Sequence, residues 1–212
     1  MPETIESVQI SGIKNIAAEA ILRIDSNRAK EIVEKNNESL IGYGGECVVI
    51  DKKGNPDLVI AFEYKGIKSP EEQKIQFYWM RIYSTLFPHN FPRFYSAWSN
   101  NENNSGTIRQ KIVSSEGENT VKYPFSDVWK KCQENNLPLS IDNTHSSNFI
   151  VGEDGGEYYV DQISLISLRY PNVFNRSDFY RFVKNNNYSE SDAQTILRCG
   201  DRINQIESKK YY

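Results

Sequence analysis

The chain has 212 residues, 38% hydrophobic, 25% charged and 12% aromatic, enough for one compact domain or two small lobes sharing a cleft. With 25 basic against 28 acidic residues the formal charge is -3, so no global basic field exists and nucleic acid is not an expected partner. No apolar run approaches the ~20 residues that cross a bilayer, residues 1–10 lack the basic flank and apolar stretch of a secretory leader, and Cys47, Cys132 and Cys199 lie too far apart for a zinc knuckle or disulfide framework. A cytoplasmic protein without membrane insertion is expected.

Residues 1–39 read as a mostly helical extension. Ile13, Ile16, Ala17, Ala20 and Ile21 recur at helical spacing, and Ser26 or Asn27 can cap a second stretch through Ile32 and Val33. From Leu40 the period changes. Residues 47–50 and 58–64 read as strands, joined through the turn Lys53-Gly54-Asn55-Pro56 into an antiparallel hairpin. Ser69-Pro70-Glu71-Glu72 announces a helix, with serine placed to cap, proline at the first helical position and Glu72 completing a capping box. Ile75, Tyr78, Trp79, Ile82 and Leu86 carry its apolar face to about Phe87, and Pro88 and Pro92 end it.

Residues 94–98 and 107–113 read as two further strands around a polar loop at 99–106. A helix is expected from Phe125 to about Asn135, and residues 149–151 and 158–160 form a second hairpin around Glu153-Asp154-Gly155-Gly156. The last forty residues read as helical, with Ser177 and Ser189 as caps. The expected class is α+β, in three parts: a helical N-terminal extension (1–39), a β-rich lobe with one helix (40–113) and a small helical lobe with a hairpin (114–212).

Two constellations could carry chemistry. In Ile41-Gly42-Tyr43-Gly44-Gly45-Glu46-Cys47-Val48-Val49 the glycines permit close backbone approach, which suits a loop folded over phosphates. Glycines in a β-turn also simply make the turn. The second is Asn143-Thr144-His145-Ser146-Ser147-Asn148, followed by Asp161 at the end of the hairpin. An amide oxygen and a carboxylate are the hard donors that Mg²⁺ takes, although Asn and Asp also cap turns without any metal.

The order of glycine loop, hairpin, capped helix, two strands, helix, N-x4-N and hairpin ending in Asp161 resembles the protein-kinase superfamily over about residues 40–165. The family's glycine loop reads G-x-G-x-x-G-x-V; Gly42, Gly44 and Val49 match, and Cys47 replaces the third glycine. Asn148 and Asp161 match the family's two metal positions. The stretch around His145 looks like the G-D-x-H-x-x-N form of small-molecule and atypical kinases, in which His145 would orient the loop. The resemblance implies a bilobal protein-kinase-like fold, ATP and Mg²⁺ as cofactors, and transfer of the γ-phosphoryl to a hydroxyl of an unidentified protein or small molecule. It assigns Gly42, Gly44, Gly45, Val49, Ala61 and Lys65 to the nucleotide, and Asp142, Asn143 and Lys65 to catalysis.

The departures matter as much. The position of the family's base is Asn143, which cannot accept a proton, with Asp142 beside it. The family's A-x-K strand motif reads Ala61-Phe62-Glu63, and Lys65 lies two residues on, on the same strand face if the strand continues. The usual glutamate partner of that lysine falls at Trp79, with Glu72 about two turns earlier. Only 51 residues (162–212) follow Asp161, so the helical C-terminal lobe is truncated. Such a lobe resembles the minimal kinases that some bacteria secrete into host cells, and it implies that location as the alternative to the cytoplasm. Glu63, Trp79 and Asn143 also leave open a pseudokinase: the same fold acting as a binding module without phosphoryl transfer.

Overall fold

In the computed structural model of the chain, the described residues are 40–43, 47–52, 54–63, 69–100, 104–115, 126–139, 148–160 and 174–209. The helical extension expected over 1–39 lies outside them. Among them the chain is mixed α+β, with seven strands in two antiparallel sheets and four helices. They divide into two compact units. The first takes residues up to Phe77 with Phe94–Lys111; the second takes Tyr78–Arg93 and the residues from Ile112 onward. No helix among the described residues is long and apolar enough to cross a membrane.

The first unit is a five-stranded sheet of β1 (Leu40–Tyr43), β2 (Cys47–Asp51), β3 (Leu58–Glu63), β4 (Phe94–Asn100) and β5 (Asn104–Gln110), in the order β1-β2-β3-β5-β4. The β2–β3 hairpin forms as its turn chemistry demands. Asn55 Oδ1 accepts from Asp57 N at 3.2 Å, and Lys52 N donates to Leu58 O at 3.0 Å. These bonds fix the register in which Ile50 faces Ile60; across β5 the row continues to Ile108. All three side chains are buried, and a row of branched aliphatics across neighbouring strands is the unit of sheet stabilisation. The polar loop expected at 99–106 is shorter. Strands β4 and β5 pair as far as Asn100 and Asn104, because cross-strand hydrogen bonds outweigh the poor strand propensity of Asn and Ser.

Both edges of this sheet are irregular. The register slips between Leu40 and Gly42 in β1, and between Phe94 and Ser96 in β4. Each slip leaves one exposed apolar residue at a bulge: Ile41 at 44% exposure and Tyr95 at 52%. Bulges at edges interrupt the flat row of donors and acceptors that would otherwise recruit another strand.

Helix α1 (Pro70–Leu86) starts as the sequence specifies. Ser69 N donates to Glu72 Oε2 at 2.8 Å and Glu72 N donates to Ser69 Oγ at 3.2 Å, a reciprocal capping box. Within the first unit, buried Gln73 ties its opening turns to β5 through Nε2 and Gly106 O, 3.3 Å apart.

The second unit is organised by aromatic rings. Helices α2 (Ser126–Glu134), α3 (Arg176–Asn185) and α4 (Glu190–Ser208) and the hairpin β6–β7 (Phe149–Val151, Glu157–Tyr159) belong to it. Trp79 lies against Tyr83, Phe174 and Phe179 at centroid distances of 6.0, 6.2 and 5.9 Å. Tyr83 continues to Phe91, Phe91 to Tyr159 and Tyr159 to Phe149. Such pairs add about 0.5–1.5 kcal/mol each beyond area burial. Ser189 caps α4 as expected. The cap of α3 is Asn175 instead of Ser177, its Oδ1 accepting from Ser177 N and Asp178 N. The reason is tertiary: the preceding Phe174 is seated in the core, and both its backbone groups are held by Asn204, at 2.7 and 3.0 Å. That seat sets where the helix begins.

Phe174 sits on α4 at Gly200. A Cβ there would lie 2.2–2.3 Å from three ring carbons of Phe174. In an open helix Gly→Ala gains about 1 kcal/mol. Here Gly200→Ala is expected to lose about 1–3 kcal/mol through overpacking, seen as a lower urea midpoint; an unchanged or higher midpoint would refute the seat.

Candidate functional site

Three of the residues assigned to a nucleotide fall on one row of the five-stranded sheet. Gly42 of β1 faces Val49 of β2, and Val49 faces Ala61 of β3; the row continues through Thr107 of β5 to Ala97 of β4. Directly opposed residues of antiparallel strands share a face, so Val49, Ala61 and Thr107 make one surface. Ala61 is 1% exposed. Gly42 follows the bulge at Ile41, a feature that re-aims the chain entering the glycine segment. Gly44 and Gly45 lie outside the described residues, as does Lys65. Glu63 ends β3 opposite Cys47 and Ser105.

The next row on that face runs Asp51, Val59, Arg109, Phe94. Arg109 is 4% exposed, and its guanidinium carbon lies 5.8 Å from the centroid of the Phe94 ring, in cation–π range. Asp51 is half-buried and accepts from Lys111 Nζ at 2.7 Å. Sequence reading missed Arg109. Alternation in a strand with one wet face puts arginine in water; only covering both faces buries it.

In α1, Trp79, which the resemblance aligns with the family's glutamate, is buried among rings. Glu72 is engaged at the start of the helix by Ser69. Neither supplies an unengaged carboxylate at the lysine-pairing position.

In the second unit, Asn148 sits immediately before β6. Its carbonyl accepts from Val160 N at 2.9 Å, closing the open end of the β6–β7 hairpin. Phe149 then faces Tyr159, and Val151 faces Glu157. The segment after the first unit adds to the hairpin's other side. Ser115 N donates to Val151 O at 2.9 Å, and Glu153 N donates to Val113 O at 3.0 Å. Asn148 is half-buried and has interactions of its own. Its partner in the sequence reading, Asp161, follows Val160 directly in the chain but lies outside the described residues, as do Asp142, Asn143 and His145. Among the described residues no three His, Cys, Asp or Glu side chains gather as a metal site. The donor set that the reading proposes, an amide and a carboxylate oxygen, suits Mg²⁺ by hardness.

The hairpin tip carries a titratable cluster that sequence reading took for a simple turn. Asp154 Oδ1 accepts from Gly156 N at 3.0 Å, and Oδ2 accepts from Tyr158 OH at 2.6 Å; His89 Nδ1 lies 3.8 Å from Oδ2. Gly155 takes φ +77°, which the Asp-Gly-Gly sequence supplies without strain. The Tyr158 hydroxyl, the Gly156 N–H and His89 together hold the Asp154 carboxyl below its ordinary range. Burial and the Asp154 carboxylate push the Tyr158 phenol up to about 12.

Compared with known protein families and with curated proteins, the chain matches none.

Because Asp154 has a depressed folded-state pKa, its contribution is present above the unfolded value of about 3.9 and is lost as pH falls through the folded one. Tyr158→Phe is expected to raise the Asp154 pKa toward that ordinary value in a carboxyl-carbon NMR titration, and to make the fold less tolerant of acid. An unmoved titration would rule out the tyrosine as the main cause.

Proposed function

We propose that the chain is a kinase-like phosphotransferase of bilobal type, moving the ATP γ-phosphoryl to a hydroxyl of a protein or small molecule with Mg²⁺. The observation that carries the reading is the row Gly42–Val49–Ala61. Residues far apart in sequence, which the resemblance gives to the nucleotide, are neighbours across three strands. Two further features support it. One helix with a capping box is inserted between the third and fourth strands of a single antiparallel sheet. The β6–β7 hairpin pairs Asn148 with Val160, the residue directly before Asp161.

In this reading the backbone of the Gly42–Gly44–Gly45 segment covers the phosphates, and the small Ala61 and branched Val49 offer the base an apolar surface. Lys65 grips the α- and β-phosphates from the strand face that Glu63 would otherwise make repulsive. Asp142 orients the acceptor hydroxyl, since the amide of Asn143 accepts no proton. Asn148 and Asp161 are the residues that would hold Mg²⁺, which when bound neutralises charge on the phosphates. Phosphoryl transfer needs mainly positioning and charge stabilisation, so a displaced aspartate suffices.

A pseudokinase is the second reading. The burial of Trp79 among aromatic rings favours it, because it leaves a lysine without its usual carboxylate partner.

Saturating Mg·ATP is expected to raise the melting temperature by about 5 °C, the scale of ligand linkage at a hundredfold excess over Kd. Label from [γ-³²P]ATP should reach an acceptor. Asp161→Ala should cut transfer by about a hundredfold or more, and Lys65→Ala should cut it sharply. No thermal shift together with no labelled product sinks the proposal. Nucleotide-independent binding of a protein partner, equal for wild type and Asp161→Ala, selects the pseudokinase.

A further inference from the structure

We infer that His89 and Asp154 are the two protein ligands of a zinc site, which joins the turn after α1 to the tip of the β6–β7 hairpin. The site lies wholly within the second unit and does not depend on the phosphotransferase reading. Two separate stretches of chain bring the ligands together. His89 stands on the turn between the buried rings of Phe87 and Phe91, closed by Asn90 N and Phe91 N donating to Phe87 O at 3.0 Å each. Asp154 stands at the hairpin tip. The two stretches are bonded to each other: Asn90 Nδ2 donates to Glu157 O at 3.2 Å, and Tyr159 N donates to Asn90 O at 2.9 Å. Gly156 approaches the turn so closely that a Cβ would lie 2.8 Å from His89 O. Backbone contacts therefore set the ligand spacing before any ion arrives.

That spacing suits zinc. His89 Nδ1 and Asp154 Oδ2 are 3.8 Å apart; an ion about 2.1 Å from each at a tetrahedral angle wants them ~3.4 Å apart. The difference is within the rotamer motion of an exposed imidazole. The side chains are 78% and 48% exposed, so an ion can enter, and water fills the positions that two protein ligands leave open.

Both ligands keep capacity for a metal. The carboxylate accepts one bond on each oxygen, from Gly156 N and Tyr158 OH, and an ionised carboxylate has about four lone-pair sites. The Gly156 bond belongs to the turn. The Tyr158 bond at 2.6 Å does not; it holds the carboxylate in one orientation, as outer partners of metal ligands do. The pairing of an imidazole nitrogen with a carboxylate oxygen selects zinc over the hard cations Mg²⁺ and Ca²⁺, which take oxygen.

Titration of the full chain with Zn²⁺, followed by imidazole-nitrogen and carboxyl-carbon NMR, tests this. A single equivalent is expected to move the His89 Nδ1 and Asp154 carboxyl resonances together, while Mg²⁺ at the same concentration moves neither. His89→Gln is expected to abolish binding. His145→Gln, which removes the other of the chain's two histidines, is expected to leave it unchanged. Tyr158→Phe should weaken it by about tenfold or more, because the carboxylate loses its orienting partner. Zinc that leaves His89 Nδ1 unmoved, or that binds His89→Gln as tightly as wild type, overturns the inference. So does the absence of any binding, or its loss in His145→Gln. The wild-type spectra decide without a variant, so a substitution that disturbs folding does not protect the idea.

Discussion

The register between β2 and β3 is the constraint on which the candidate site depends. Side chains alternate with a period of two, so a slip of one residue between β2 and β3 would put Val49 on the face opposite Ala61 and break the row. Two independent features hold the register. The turn at residues 52–58 closes with the Lys52–Leu58 bond and the Asn55 side chain, and the buried Ile50–Ile60–Ile108 row fits in only one alignment. Local turn chemistry and nonlocal burial agree, as they do in sequences that specify one structure.

The second unit relies on a different material. Its rings run from Phe174 through Trp79, Tyr83 and Phe91 to Tyr159 and Phe149. Rings packed at such distances have few alternative arrangements, because displacing one leaves its neighbours without contacts. The hairpin that carries Asn148 is thus anchored through Tyr159 at its base, and its tip is held by the Asp154 bonds to Tyr158 and Gly156. Tyr83 is the exception to good pairing. It is fully buried, and among the described residues its hydroxyl has no hydrogen-bond partner. Burial pushes its phenol well above the ordinary range, so it stays neutral.

In the proposed mechanism, Glu63 and Trp79 matter through what they replace. The kinase resemblance aligns its lysine with Glu63 of the first unit and that lysine's glutamate with Trp79, which is packed among rings of the second unit. In that mechanism a carboxylate near the phosphates repels them and a tryptophan supplies no counter-charge, so the positive charge comes from elsewhere. Lys65 supplies it in the proposed mechanism, near the phosphates.

Much of the local structure was written in single stretches of sequence. The Ser69–Glu72 capping box, the Asn55 turn, the Ser189 cap and the Asp154-Gly155-Gly156 turn each depend on a few adjacent residues whose backbone preferences need no distant help. The hairpin that sets Val49 beside Ala61 followed from turn chemistry as well, whereas β1 and the pairing of Gly42 with Val49 came only from the fold. The sequence could not decide between Asn175 and Ser177 as a cap, because both side chains suit the role; the seating of Phe174 against Gly200 and Asn204 chose. Nor could it show that Arg109 is buried, since alternation distinguishes two faces but not whether both are covered. Burial is a property of what packs on a surface from elsewhere in the chain, and only the tertiary structure supplies that.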